Sequence, residues 1–512
     1  MIAKMLSAAI LGIDAHRIDI EVDFTRSGLP GFTMVGLAEG PVRESKERVF
    51  SALRNSGFRL PPARVTVNLA PADMRKEGSN LDLALALGLL AGAEIIPAEA
   101  LEGWFVAGEL SLTGEIKPVS GLLPLVIRAR NEQARGVLAP AANAAEGAVV
   151  ENVAVYPVRT LLEAVDFLRG QGTIEPQRTD LDSLWRARDA FPLDFDEVKG
   201  QEHAKRAIEI AAAGGHNLLF LGPPGSGKTM LAQRIPSVLP PLGFEEALEV
   251  TKIYSVAGSL DGAALIVTRP FRSPHHTVSD AGMVGGGHIP RPGEVSLAHR
   301  GVLFLDELPE FKKHVLEVLR QPLEDGRVTI ARAAMSLSYP ADFMLVAAMN
   351  PCPCGYLSDA RHTCTCSPQQ VQRYRSRISG PLIDRIDLHV EVPAVPYKEL
   401  KQARAGTGSA TMRERIAAAR DVQYARYTGT TLRTNCDLSG KWLDQHCRIG
   451  EEEHDFLEQA VRTLGLSARA YTRVLRIART IADLAEHPVV RTGHLAEALN
   501  YRTLDRQRLA AE

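Results

Sequence analysis

The chain has 512 residues, a formal net charge of −2 and ordinary globular proportions, with 45% hydrophobic and 23% charged residues. This length predicts about three domains, while the near-neutral charge excludes a polycation that coats nucleic acid by bulk attraction. No apolar run reaches the ~18 residues of a membrane-spanning helix, and six cysteines over this length argue against a secreted disulfide framework. We therefore expect a cytoplasmic protein with no membrane partner.

The first 170 residues alternate short strands with helical stretches, which predicts a compact α/β domain. RVTVNLAP, GWFVAGELSL and GVLAP are the predicted strands, and NLDLALALGLLAG and LLPLVIRARNEQA are predicted helices. Ile18, Ile20, Val22 and Phe24 alternate with acidic residues as in a half-buried strand, which favours a structured N-terminus over a cleaved signal peptide. The polar, proline-containing run 171–198 is the predicted linker.

The second block, 199–400, is strand-rich and opens on HNLLFLGPPGSGKTMLAQRI. This segment predicts a strand, a glycine-rich turn and the start of a helix, the context that the pattern G-x-x-x-x-G-K-[ST] requires. Its glycines let backbone N–H groups converge on phosphates, the lysine reaches the β and γ oxygens, and the threonine holds Mg²⁺. We predict ATP binding by Gly222, Pro223, Pro224, Gly225, Ser226, Gly227, Lys228 and Thr229.

Two further predicted strands end in polar side chains. GVLFLDE delivers Asp306 and Glu307 to the carboxyl edge of a parallel sheet, where ligands of such sheets bind. We predict that Asp306 holds Mg²⁺ and that Glu307 orients and deprotonates the attacking water. The strand FMLVAAMN ends at Asn350, whose amide is expected to contact the γ-phosphate or the same water. Together these motifs predict an ATPase.

The stretch NPCPCGYLSDARHTCTC follows that strand directly and carries the pattern C-x-C-x₉-C-x-C. Four thiolates at this spacing suit tetrahedral Zn²⁺, although C-x-C is less usual than C-x₂-C. A structural zinc would order a loop that has little core of its own, and four protein ligands leave no open position for catalysis. Free thiols, a redox pair, and His362 in place of one cysteine remain alternatives. The predicted zinc ligands are Cys352, Cys354, Cys364 and Cys366.

Two insertions interrupt the second block, and a helical block follows it. The segment 268–295 is too rich in glycine and proline for core, and 324–343 is a predicted hairpin. After a Gly/Ser/Thr-rich joint, 411–508 is predicted to be helical, since Val474, Ile477, Ile481 and Leu484 recur at helical spacing.

These motifs carry a family resemblance. GPPGSGKT, LFLDE, the strand ending at Asn350, and LIDRID resemble an AAA+ ATPase of the magnesium-chelatase-like branch. The strings SPHHTVSDAGMVGGG, MNPCPCG and LSARAYTRVLRIARTIADL resemble the bacterial ComM/YifB family, and the similarity extends over nearly the whole chain. The resemblance implies a Lon-protease-like α/β domain over 1–170, an AAA+ core over 199–400 with a parallel sheet and helices on both faces, and a helical lid domain over 401–512.

The resemblance also implies a homo-hexameric ring with composite catalytic sites. Arg385 would be the arginine finger that enters the nucleotide site of the next subunit, and Arg469 would be the second sensor. An isolated arginine beyond the sheet cannot bend back to its own phosphate, whereas a ring neighbour can supply one at the developing charge. A salt bridge of Arg385 with Asp384 or Asp387, and Arg377 as the finger, are the alternatives.

The resemblance to Lon-type proteases stops short of their chemistry. That chemistry needs a serine whose proton a nearby lysine accepts. In this sequence Asn80 stands at the serine position and Leu123 at the lysine position; Ser79, Lys76 and Lys117 lie elsewhere. We expect a proteolytically inactive domain that stacks into a second ring tier, where it rigidifies the ring or guides substrate.

The resemblance finally implies a DNA motor. Both insertions would project into the central pore and track a phosphate backbone, with surface loops of solvated charge as the alternative. The implied activity is a helicase that promotes branch migration during natural transformation, acting on single-stranded or branched DNA with recombination proteins. A chelatase-type or remodelling ATPase that acts on a protein is the competing hypothesis. The implied DNA contacts are Arg269, Arg272, His275, His276, Arg291 and Arg332.

Overall fold

The structure is a computed structural model that describes residues 2–502 except 28, 38–39, 77, 189–190, 288–289, 333–334, 358, 360 and 396–406. The strands are numbered along the chain, and the helices are identified by their bounds.

The N-terminal domain is built on one mixed sheet. Its strands are β1 Ile2–Leu11, β2 Asp14–Thr25, β3 Gly31–Val35, β4 Arg64–Ala70, β5 Trp104–Val106, β6 Glu109–Leu110, β7 Ile116–Lys117, β8 Gly136–Pro140 and β9 Val155–Val158. Seven of them form a sheet in the order β3-β4-β2-β1-β5-β8-β9, while β6 and β7 pair separately. The residues Ile18, Ile20, Val22 and Phe24 of β2 are buried, as their alternation with acidic residues predicts. The helices are Gly40–Asn55, Asp82–Gly92, Leu122–Asn131, Ala144–Gly147 and Leu161–Leu168, with a 3-10 turn at Ala98–Leu101.

The central domain holds a five-stranded, wholly parallel sheet. Its strands are β10 Leu218–Leu221, β11 Phe271–Arg272, β14 Val302–Leu305, β17 Met344–Met349 and β18 Leu388–Glu391, in the order β11-β14-β17-β10-β18. Strands β10, β14 and β17 are buried along their whole length, because helices cover both faces of such a sheet. The helices are Glu202–Gly214, Lys228–Arg234, Phe244–Ala257, Asp280–Val284, Glu294–Leu297, Lys313–Glu317, Arg320–Asp325, Pro368–Arg375 and Gly380–Ile383, with 3-10 turns at Phe195–Glu197, Ile235–Ser237 and Leu308–Glu310.

The prediction that 268–295 contributes nothing to the core is wrong: this segment contains the edge strand β11, and Met283 and Val295 are fully buried. Each insertion of the central domain also contains a two-stranded pair. The first holds β12 Gly285–Gly286 and β13 Arg291–Pro292, and the second is the predicted hairpin of β15 Arg327–Arg332 and β16 Met335–Pro340. The register of the hairpin runs from Arg327 opposite Pro340 to Arg332 opposite Met335.

The C-terminal domain is helical over its described residues, 407–502. Its long helix Ala468–Leu484 buries Val474, Ile477 and Ile481, as the helical spacing predicts. These residues belong to one hydrophobic core with the central domain: the C-terminal helices pack on helix Glu202–Gly214, which in turn packs on the sheet. The helices are Ser409–Tyr427, Lys441–His446, Glu451–Leu464, Ala468–Leu484 and Thr492–Asn500, with a 3-10 turn at Asn435–Asp437.

The N-terminal and central domains also share a hydrophobic core. Side chains of helix Leu122–Asn131 form one buried cluster with side chains of helix Phe244–Ala257. The backbone N–H of Gly121 donates to the carbonyl of Ser255 across this contact, at 3.0 Å. The predicted linker contains a helix, Leu181–Ala187, whose Trp185 packs edge-on against Phe244. In the part of the chain that the structure describes, no helix is both long and apolar enough to cross a membrane.

Candidate functional site

The predicted phosphate-binding loop connects β10 to helix Lys228–Arg234. Gly225 and Gly227 have φ angles of +74° and +93°, a conformation that side chains disfavour, and this explains glycine at both positions. The ammonium of Lys228 folds back on the loop and donates to the carbonyls of Gly222 (2.8 Å) and Pro223 (2.9 Å). Burial lowers the pKa of Lys228, while the charges of Asp306 and Glu307 oppose that shift. The loop and its lysine therefore form a preassembled cationic cradle.

The structure brings the other predicted ATP-site residues to the same sheet edge. Thr229 Oγ1 donates to Asp306 Oδ2 at 2.6 Å, so the two predicted Mg²⁺ ligands are in contact. Asn350 Oδ1, at the end of β17, accepts from Lys228 Nζ at 3.2 Å. Glu307 follows Asp306 with φ +52° and is more than half exposed. The residues for phosphate, metal and water thus converge from three neighbouring parallel strands.

The predicted catalytic arginines lie at the opposite end of the sheet. Leu218, the first residue of β10, is paired with Leu388 of β18, and Asn217 Nδ2 donates to the carbonyl of Arg385 at 2.9 Å. The P-loop leaves the other end of β10, so at least the length of that strand, roughly 13 Å, separates it from Arg385. Burial lowers the pKa of Arg385, and the nearby charges of Arg320 and Arg469 lower it further. Arg469 is exposed and lies close enough to Arg385 for its charge to act on that guanidinium.

The salt bridge that Arg385 forms in the structure differs from the one that the sequence suggested as an alternative to its finger role. Asp387 pairs with His216 and Arg473, each at 3.3 Å. Arg385 instead pairs with Glu324, whose position in the sequence carries no signal for this contact. Arg377, the competing finger, is half exposed and pairs with Glu310 at 2.9 Å.

The four cysteines of the predicted zinc site converge. Among the described residues their Sγ atoms form a group in which all lie within 4.8 Å of one another. The Sγ of Cys352 lies 3.3 Å from that of Cys354 and 3.7 Å from that of Cys364. Tetrahedral zinc with metal–sulfur bonds of about 2.3 Å has sulfur–sulfur edges of about 3.8 Å, so the donor set fits the ion. His362 is outside the group, since it is exposed and contacts Asp359.

The cysteine loop lies directly against the P-loop. Gly355 has φ +88°, and a Cβ at this position would meet Pro224 Cδ at 2.5 Å and Cγ at 2.8 Å. Only glycine permits this approach.

Gln201 is a further neighbour of the P-loop, and the sequence did not indicate it. Its Nε2 donates to the carbonyl of Pro393 at 2.6 Å and lies 3.5 Å from the carbonyl of Ser226. A single glutamine between two helical stretches carries no motif by which to find it.

The structure separates the six residues predicted to contact DNA. Arg269 is largely buried and bonds to the carbonyls of Pro240 and Arg300, so its guanidinium is engaged within the chain. Arg272 is held by Glu294 through two bonds of 2.7 and 2.8 Å.

The other four residues predicted to contact DNA lie at different places in the central domain. His276 lies beside the predicted catalytic glutamate, with Nδ1 3.8 Å from Glu307 Oε2. His275 and Arg291 are exposed on the first insertion. Arg332 ends β15, and its side chain is outside the described residues.

The positions that correspond to a protease dyad hold no nucleophile and base. Asn80 Nδ2 donates to the carbonyl of Ala8 at 2.9 Å, and Leu123 is fully buried. The hydroxyl of Ser79 bonds to Glu109, while Lys76 bonds to the carbonyl of Pro71. Lys117 pairs with Glu115 at 2.7 Å. These contacts give no serine–lysine pair among the described residues.

Comparison with known proteins covers the chain almost completely. Three family models match: magnesium chelatase subunit ChlI over 194–400, subunit ChlI of Mg-chelatase over 20–143, and the C-terminal part of magnesium chelatase subunit ChlI over 406–502. Competence protein ComM of Haemophilus influenzae is 44% identical over 508 residues, which are 99% of this chain and 98% of that protein. YifB of Escherichia coli is 44% identical over 97% of this chain and 96% of its own length. The magnesium-chelatase 38 kDa subunit of Rhodobacter capsulatus is 28% identical over 32% of this chain and 52% of that subunit.

Proposed function

The chain belongs to the ComM/YifB family of magnesium-chelatase-like AAA+ proteins, and from this membership we propose a ring-forming, ATP-driven DNA translocase. Its activity would be branch migration during recombination in natural transformation. The word competence in the name of the Haemophilus influenzae relative supports the biological setting. The proposed partners are single-stranded or branched DNA, further copies of this chain, and recombination proteins, in the cytoplasm.

One observation supports the proposed ring assembly. Lys228, Asp306 and Glu307 lie at the carboxyl end of the sheet, whereas Arg385 lies beyond its amino end. A phosphoryl-transfer site needs positive charge on the transferred group, which an arginine from a neighbouring subunit supplies in trans. Head-to-tail packing of copies would place Arg385 and Arg469 of one subunit at the P-loop of the next. Repetition of this contact closes a ring, for which we propose six subunits.

Within each composite site the residues would divide the chemistry. Lys228 and the loop N–H groups would bind the β- and γ-phosphates of ATP, and Thr229 and Asp306 would hold Mg²⁺, which when bound would neutralise charge on the phosphates. Glu307 accepts the proton of the attacking water, and Asn350 orients that water or the γ-phosphate. Arg385 stabilises the charge that develops as the phosphoryl group leaves.

We propose that the four-cysteine group holds one structural zinc ion. The ion would order the loop that packs on Pro224, and it would take no part in the reaction because no open coordination position remains. The N-terminal domain would form a second ring tier, since it shares a hydrophobic core with helix Phe244–Ala257 of the central domain.

DNA contact would come from the two insertions. His275 and Arg291 on the first insertion and Arg327 on the hairpin are exposed, and Arg332, whose side chain is outside the described residues, completes the set that we propose. We do not include Arg269, Arg272 and His276, because their side chains already contact other groups of the chain. A few such cations per subunit, repeated around a ring, would track a phosphate backbone in spite of the nearly neutral chain.

The test is the ATPase rate of the purified full chain without DNA, with single-stranded DNA and with forked DNA. We expect stimulation by DNA that weakens as salt rises, because phosphate contacts release counterions. The same sample should move a synthetic four-way junction when ATP is present. A second candidate, a remodelling or chelatase-type ATPase that acts on a protein, is supported by the similarity to the magnesium-chelatase subunit. An ATPase rate that neither single-stranded nor forked DNA changes would favour this candidate.

A further inference from the structure

We infer that Glu324 is a positioning residue that retains Arg385 within its own subunit and releases it when the hairpin β15–β16 is displaced by DNA. The inference rests on the proposed function, in which Arg385 serves the nucleotide of a neighbouring subunit. It adds to that function a route by which DNA in the pore controls hydrolysis.

The guanidinium of Arg385 is engaged inside its own chain. Its Nη2 pairs with Glu324 Oε1, its Nη1 donates to the carbonyl of Pro381 at 2.7 Å, and the side chain is only 12% exposed. Its Nε is buried without a hydrogen-bond partner among the described residues. In this conformation Arg385 must exchange the carboxylate for a phosphate before it can act on a neighbour.

The ion pair between Arg385 and Glu324 is weak enough for a phosphate group to displace it. The side chain of Glu324 is 58% exposed, so solvent reaches the carboxylate end of the pair and weakens its attraction for the largely buried Arg385. Arg320 and Arg469 place further positive charge near Arg385, while Glu317 is the other carboxylate close to it. Beside the pair lies a polar cavity of about 970 Å³, lined by Glu324, Arg385 and Arg473 among others. A triphosphate, with more negative charge than one carboxylate, would compete successfully for the guanidinium in this setting.

Glu324 is joined to the hairpin by a short, defined connection. It lies in the last turn of helix Arg320–Asp325, which ends at Gly326 with φ +63°. Strand β15 begins at the next residue, Arg327. Where β16 returns, the N–H of Ala341 donates to the carbonyl of Gly326 at 2.8 Å and closes the base of the hairpin. A shift of the hairpin must therefore move Glu324 or break this bond.

The experiment compares wild type with Glu324→Gln in the full chain, measuring kcat and KM for ATP with and without forked DNA. We expect the DNA-free kcat to rise roughly threefold to tenfold, as the loss of a weak ion pair predicts, with KM within about twofold. The factor by which DNA stimulates the rate should fall correspondingly. Mass photometry with a non-hydrolysable ATP analogue confirms that rings of both proteins are compared.

Asp325→Asn is the matched control. It removes the same charge from the next residue and lines the same cavity, and the ion pairs of the described residues include none between Asp325 and Arg385. It should keep wild-type kcat and DNA stimulation. Glu324→Asp, which retains a shorter carboxylate, should give an intermediate rate, and equal melting temperatures would show that all variants fold.

A DNA-free kcat that is unchanged or lower in Glu324→Gln would overturn the inference, because Glu324 would then be idle or would support the active position of Arg385. If DNA fails to stimulate even wild type, the proposed DNA motor fails. An increase in the DNA-free rate of Glu324→Gln would in that case still establish the retention of Arg385, so the two failures are distinguishable.

Discussion

Glu146 connects the N-terminal domain to the central domain, and its pKa predicts how this contact responds to pH. The side chain is 5% exposed and accepts hydrogen bonds from Ser255 Oγ (3.3 Å), on helix Phe244–Ala257, and from Asn143 Nδ2 (3.4 Å). Burial raises the pKa of Glu146 from 4.5 to about 7, and the bonds from Ser255, Asn143 and the N–H groups of Leu122 and Leu123 only partly oppose it.

The size and sign of the effect follow from linkage. Between pH 4.5 and 7 the closed interface retains the proton of Glu146, while the opened state has lost it. The contribution is therefore complete below pH 4.5 and is lost as the pH rises through 7. A pKa raised from 4.5 to about 7 corresponds to about 3 kcal/mol at 1.36 kcal/mol per pKa unit. Glu146→Gln cannot ionise and should lack this pH dependence.

The assay is hydrogen–deuterium exchange of residues 121–131 and 244–257, comparing wild type with Glu146→Gln at each pH so that intrinsic exchange rates cancel. Between pH 5 and pH 8 the protection of wild type relative to the variant should fall on the order of 50- to 100-fold. Glu151→Gln, at an exposed position, is the control and should match wild type throughout. A ratio that stays constant with pH would refute the assignment of the proton to Glu146.

Four further predictions address the ATP and zinc sites. Lys228→Ala should abolish binding of a fluorescent ATP analogue, because the cradle loses its cation; retained binding with native circular dichroism would contradict the role of the loop. Glu307→Gln should bind ATP normally but hydrolyse it at least about 100-fold more slowly, and so accumulate as ATP-bound rings in size-exclusion chromatography; turnover at the wild-type rate would show that Glu307 is not the base. Arg385→Ala should lower kcat on the order of 1000-fold while nucleotide affinity changes only a few-fold, with Arg377→Ala as the control, and unchanged hydrolysis would remove the argument for composite sites. Metal analysis after dialysis should find about one zinc per chain, which Cys354→Ser should reduce, whereas a metal-free protein with an ordered cysteine loop would leave the free-thiol alternative.

The convergence of the predicted ATP-site residues could be inferred from the sequence because these residues are close in sequence or follow strand ends. A buried strand followed by GPPGSGKT or by Asp306–Glu307 specifies both the local fold and the sheet edge at which it ends. The convergence of the four cysteines could also be predicted, since they lie within fifteen residues of chain. This short spacing restricted where their Sγ atoms could meet. Helical periodicity predicted the buried face of helix Ala468–Leu484 for the same reason, as all its information is local.

Local sequence therefore predicts a set of local arrangements: the P-loop, the carboxylates that follow β14, the four-cysteine group and the amphipathic helices. Which distant groups meet is seen only in the folded chain. Folding pairs Arg385 with Glu324, engages Arg269 with the carbonyls of Pro240 and Arg300, puts His276 beside Glu307, and joins the N-terminal and central domains through Glu146 and Ser255. The physical reason is that ion pairs and buried contacts between remote segments depend on how sheets and helices pack, and a charged side chain in a loop carries the same local signal whether it faces solvent, DNA or a buried partner.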